Sequence, residues 1–190
     1  MISGVVFDMD GFFHTLAQRL EGKKVIGVSG ADCSGKTVLA DNYARWCNDA
    51  GHRTEVAHID DFHNPSQLRT GLDEVDVYYR NAFNYEQLIS EVLEPLRTYG
   101  EVHATLTCLD LETDRYEKQV RYDIDPGAVL IVEGVLLFRS PLVDFFDATI
   151  WVQISEREEL RRAQARDPAN KSDIVIDNND YGRPYLQNPS

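Results

Sequence analysis

Positive charge is scarce in this chain: 19 lysines and arginines stand against 32 aspartates and glutamates, a formal net charge of -13. A chain so acidic does not take nucleic acid or an anionic membrane as its main partner. A nucleotide is not excluded, because it needs only a local cationic pocket. Cysteine is scarce too, and the spacing of Cys33, Cys47 and Cys108 suits neither a zinc site nor a disulfide framework. No apolar run reaches the length of a membrane span, and the N-terminus has no basic leader region, so a soluble cytoplasmic enzyme is expected. Repeats and low-complexity linkers are absent. What remains is 190 residues with 43% hydrophobic content, enough for one domain, 1–190, with a full core.

The most informative stretch is KVIGVSGADCSGKTVLADNYA, Lys24 to Ala44. Val25 to Val28 reads as a short buried strand. Gly30, Ala31, Asp32, Cys33, Ser34, Gly35, Lys36 and Thr37 then fit the phosphate-loop pattern G-x-x-x-x-G-K-[ST], and Val38 opens a helical periodicity that continues through Leu39, Asn42, Tyr43 and Trp46. Glycines let the backbone turn around a phosphate, consecutive N–H groups point at it, and the following helix presents its positive end. In that setting Lys36 neutralises the outer phosphates of ATP and the Thr37 hydroxyl holds Mg²⁺.

The other candidates fall on either side of this unit. Residues 1–22 form a lead-in. Its Val5-Val6-Phe7-Asp8-Met9-Asp10-Gly11 looks like the nucleophile motif of haloacid-dehalogenase-type phosphatases, but too few residues follow for the rest of such a domain, and Phe13, Leu16 and Leu20 read as one face of a short core helix. A strand over Thr54–Ile59, expected beside the phosphate-loop strand, ends in Asp60 and Asp61. Asp60 is the candidate base for an acceptor hydroxyl and could touch a metal-bound water; Asp61 should project elsewhere. Residues 62–124 are the expected acceptor region, with His63, Asp76, Tyr79 and Arg115 as candidate contacts. Within it Asn64–Asn84 reads as loop-rich, Tyr85–Thr98 as helical, and Glu101–Leu109 with Arg115–Ile124 as a hairpin. Ala128–Gly134 and Ala148–Ile154 read as buried parallel strands, and Glu133 sits at a strand tip where a carboxylate can serve Mg²⁺ directly or through water. Residues 155–170 form a lid region carrying Arg157, Arg161, Arg162 and Arg166, followed by a short strand over Asp173–Ile176.

Together VIGVSGADCSGKT, HIDDFHNP, YYRNAFNYEQL, LIVEGVLLF, RRAQARD and DIVIDNND resemble, in order, the uridine kinase-like group of phosphate-loop kinases, which includes nicotinamide riboside kinases. The resemblance implies an α/β, three-layer fold with a five-stranded parallel sheet and a β-hairpin inserted over the acceptor site. It also implies ATP- and Mg²⁺-dependent phosphorylation of a ribose hydroxyl. By the same resemblance Asp60 matches the catalytic carboxylate, Thr37 and Glu133 the magnesium-site residues, and Arg162 and Arg166 the lid arginines. Leu109–Asp114 lacks the histidine that uridine kinases carry there, so the acceptor is expected to be nucleoside-like rather than fixed as uridine. Homo-oligomerisation is compatible with all of this. A guanine-reading N-K-x-D occurs at Asn170-Lys171-Ser172-Asp173, but it precedes a strand instead of following one, and no D-x-x-G switch accompanies it.

Overall fold

The computed structural model describes residues 8–31, 34–69, 74–155, 174–177 and 183–187. In chain order the elements are α1 (Met9–Arg19), β1 (Val25–Gly30), α2 (Lys36–Asp49), β2 (Thr54–His58), α3 (Ser66–Arg69), α4 (Glu74–Asn81), α5 (Tyr85–Leu88), α6 (Glu94–Tyr99), β3 (Val102–Asp110), β4 (Arg115–Ile124), β5 (Val129–Gly134), β6 (Ala148–Gln153), β7 (Ile174–Asp177) and β8 (Tyr185–Gln187). Strands β2, β5, β1, β6 and β7 lie side by side and parallel, and β8 adds an antiparallel edge to β7. The five parallel strands match expectation; the sixth, only three residues long, was too short to carry a periodic signal. Strands β3 and β4 form a separate two-stranded sheet.

The strands are continuous apolar runs because both faces are covered, and successive residues serve opposite layers. On β5, Ile131 packs with α1 and α2, against Leu39, Tyr43, Phe13 and Leu16. Its neighbours Leu130 and Val132 pack on the other side, with Leu88 and Val92 of the α5–α6 region and Leu106 and Tyr122 of the hairpin. Three layers result. No helix among the described residues is long and apolar enough to cross a membrane.

Three local readings are corrected. The strand β2 is not beside β1: β5 lies between them. Its helical turn begins at Ile59, so Asp60 sits in a 3-10 turn, Ile59–Phe62, and not at a strand tip. Asn64–Asn84 contains two helices, α3 and α4, rather than loop alone; Pro65, Gly71 and many polar residues hide them in the sequence. Helix α5 continues into α6 through a π-helical segment, Ile89–Leu93, in which the Glu94 amide reaches the Ile89 carbonyl. Pro95 has no N–H to give to the Glu91 carbonyl, so the ladder widens just before it.

At the N-terminal side, Asp8 caps α1 by accepting from the Gly11 amide at 3.0 Å, and Asp10 accepts from the Trp46 indole at 2.6 Å. Both carboxylates of the phosphatase-like motif thus hold α1 in place, and Asp10 lies inside a helix.

Candidate functional site

The loop between β1 and α2 lies at the carboxyl end of the central strand, where ligands bind in open α/β sheets. Gly30 ends β1 so close to β6 that a Cβ there would lie 2.4 Å from the Val152 carbonyl oxygen. Gly35 caps α2 in the left-handed region, φ 91. These glycines are required by space at one position and by backbone conformation at the other. The Ser34 amide donates to the Ala31 carbonyl at 3.1 Å, and the Lys36 Nζ, buried, donates to the same carbonyl at 2.9 Å. Val38 faces outward from the first turn of α2 and is 59% exposed. Asp32 and Cys33 lie outside the described residues.

Sheet register builds the next part. Glu133 pairs with Val28 on β1 and with His58 on β2, so these three residues stand level near the strands' carboxyl ends. Level neighbours in parallel strands share a face, and this one turns toward α2. There Thr37 and Asp41, one helical turn apart, present the same side of α2. The Thr37 Oγ1 donates to Glu133 Oε2 at 3.1 Å, and His58 Nδ1 lies 2.8 Å from Glu133 Oε1. Asp41 Oδ1 stands 3.9 Å from His58 Nε2. The Glu133 side chain is only 4% exposed. Its hydrogen bond holds the His58 imidazolium above the ordinary histidine range, against the opposing pull of burial. The structure therefore brings together Thr37 and Glu133, as expected, and adds His58 and Asp41, which sequence reasoning missed. The available signal was their phase: His58 alternates with Val56, and Asp41 follows Thr37 by four.

The β2 turn divides its carboxylates. Asp60 is exposed. Asp61 is buried and accepts from Lys118 Nζ of β4 at 2.5 Å, a bond that raises the lysine's pKa. Gly134, φ 150, presses this turn onto β5: a Cβ there would come within 1.9 Å of Ile59 Cγ2. His63 is buried, its ring bonded through Nδ1 to the Asp60 carbonyl at 2.9 Å and packed 4.5 Å from the Phe83 ring. Tyr79 is partly covered by Arg139, whose guanidinium lies 4.6 Å from the rings of both Tyr79 and Tyr85 and donates to the Tyr79 carbonyl. Arg139 was not foreseen. Arg115 is exposed where β4 begins; the side chain of Asp76, and Arg157, Arg161, Arg162 and Arg166, lie outside the described residues.

The ligand chemistry fits ATP and Mg²⁺. The left-handed Gly35 lets the loop turn into α2, where backbone N–H groups can face a phosphate, and a threonine hydroxyl beside one buried carboxylate is a hard-oxygen donor set. Among the described residues no group of three His, Cys, Asp or Glu forms a metal cage. Thr37 and Glu133 offer two side-chain oxygens, and Mg²⁺ is usually held by one or two protein carboxylates with phosphates and water.

A parallel sheet with a phosphate loop after its central strand, helices on both faces and a separate hairpin defines a phosphate-loop kinase fold. A solved structure described as a possible uridine kinase from Bacillus stearothermophilus shares it, with a TM-score of 0.71 over 88% of this chain and 98% of that one at 21% identity. No protein-family model matches the chain. Uridine kinase-like protein 3 of Arabidopsis thaliana is 30% identical over 150 residues, covering 77% of this chain and 31% of that protein. Uridine-cytidine kinase A of Dictyostelium discoideum is 26% identical over 158 residues, covering 80% of this chain and 30% of that one. The chain thus spans less than a third of the length of these curated relatives. The resemblance to the uridine kinase-like family of phosphate-loop kinases holds in sequence as well as in fold.

Proposed function

We propose that the chain is a kinase domain that moves the γ-phosphoryl of ATP to a hydroxyl of a small, nucleoside-like acceptor. The observation that carries this is the Thr37–Glu133 contact beside the phosphate loop: a hydroxyl and a buried carboxylate set where a phosphate-bound Mg²⁺ needs them. The names of the relatives support the same chemistry. Gly30 to Val38 form the nucleotide cradle, and Lys36 leaves the Ala31 carbonyl for the outer phosphates. Mg²⁺, when bound, neutralises charge on the phosphate oxygens, with Thr37 and Glu133 as its protein partners. Asp60 orients the acceptor hydroxyl and takes its proton as the oxygen bonds to phosphorus and the bridging oxygen departs with ADP. Arg162 and Arg166 belong to the lid that stabilises charge on the moving group. His63, Asp76, Tyr79 and Arg115 are the candidate contacts to the acceptor.

The experiment is an acceptor panel with MgATP: uridine, cytidine, other nucleosides, nicotinamide riboside, pantothenate and simple sugars, read by the mass of the phosphorylated product. Product from a nucleoside or nicotinamide riboside supports the reading. ATP hydrolysis with no phosphorylated acceptor in the whole panel contradicts it.

A further inference from the structure

We infer that His58 is a positioning residue that fixes the metal-side carboxylate Glu133, and that Asp41 steadies it from α2. This rests on the kinase reading above and names a residue that reading does not use. A buried carboxylate with an unpaired oxygen is costly, and one free to rotate cannot present a defined oxygen. Here Glu133 spends Oε1 on His58 at 2.8 Å and turns Oε2 to Thr37 at 3.1 Å. The His58 ring is in turn spanned by two acids, with Asp41 3.9 Å from Nε2. Strand register fixes the pair, because His58 and Glu133 are direct neighbours on β2 and β5.

A threonine hydroxyl has one proton and two lone pairs, so Thr37 could offer a lone pair to Mg²⁺ and still donate its proton to Glu133 Oε2. The His58 bond lies on the other oxygen and leaves Oε2 to that side. It would therefore keep Glu133 in one orientation with or without the metal, as outer partners of metal ligands do. His58 touches neither nucleotide nor acceptor in this account, so its loss should be read in metal dependence and not in nucleotide contact.

The test measures binding of a non-hydrolysable ATP analogue to the full chain by calorimetry, once with Mg²⁺ and once with EDTA. Variants are His58→Ala and His58→Asn, the latter keeping an amide donor where Nδ1 stands. Wild type should bind more tightly with Mg²⁺. In His58→Ala that gain should shrink by about tenfold or more while EDTA affinity stays within about twofold, and His58→Asn should restore most of it. A purely structural role would lower the melting temperature of both variants and leave the Mg²⁺ gain intact; that result overturns the inference alone. A wild type with no Mg²⁺ gain overturns the magnesium site and the inference with it. If His58→Ala does not fold, Asp41→Asn decides: a smaller Mg²⁺ gain with EDTA affinity within about twofold of wild type supports the inference, and an unchanged gain rejects it.

Discussion

Asp60 and Asp61 are adjacent residues with opposite surroundings. Asp60 lies exposed in the turn after β2, whereas Asp61 is turned inward onto Lys118. Both lie in the 3-10 turn Ile59–Phe62, and it is this turn, not strand alternation, that sends the two carboxylates to different surroundings. We expect Asp60→Asn to keep the fold and nucleotide affinity and to lose about a hundredfold or more in single-turnover rate. Asp61→Asn should keep most of that rate and lose about 1 kcal/mol of stability, because it weakens a charge-assisted bond whose lysine is half exposed. If Asp61→Asn is the variant that stops transfer, Asp60 is not the base. Gly134 is a second residue-scale case. A methyl group there meets both the left-handed backbone and Ile59, so Gly134→Ala should cost at least about 2 kcal/mol in a denaturant melt. A wild-type midpoint would mean that the β2 turn is not wedged against β5.

The hairpin shows what an element needs beyond its own pairing. Its alternation and its Glu112-Thr113-Asp114 turn made it legible in the sequence. Its attachments were not, because each comes from a distant residue. Asp114 accepts from the Ser66 amide at 2.9 Å and from the Ser66 hydroxyl at 2.6 Å, Lys118 reaches Asp61, and the Tyr122 ring stacks on Phe62 at 6.4 Å. These tie β3–β4 to α3 and to the β2 turn. Replacing Lys118 with Met should therefore loosen the hairpin without unfolding the sheet. Amide exchange in β4 should quicken by roughly fivefold, equal to about 1 kcal/mol of local stability, while β1 and β5 keep their protection. Unchanged exchange in β4 would show that the Asp61 bond does not hold the element down. The helices α3 and α4 and the strand β8 escaped notice because short elements owe their form to such tertiary contacts more than to local pattern.

At the scale of the whole molecule, the phosphate loop was legible because its motif fixes both residues and spacing, and the three-layer class followed from continuous apolar strands. Sheet order was not legible. Parallel strands with similar apolar runs are interchangeable on paper, and only the fold reveals that β5 separates β2 from β1. That order makes the site, since it sets His58 and Glu133 side by side above Thr37 and Asp41. The most direct test of the account is transfer of a radiolabelled γ-phosphoryl from ATP to the best acceptor of the panel, comparing wild type with Lys36→Ala. Lys36 is the buried cation of the loop, and its loss removes charge stabilisation from the transferring group. Labelled acceptor from wild type and a fall of about a hundredfold or more in Lys36→Ala is the predicted result. Equal labelling by the two proteins would contradict phosphoryl transfer at this loop.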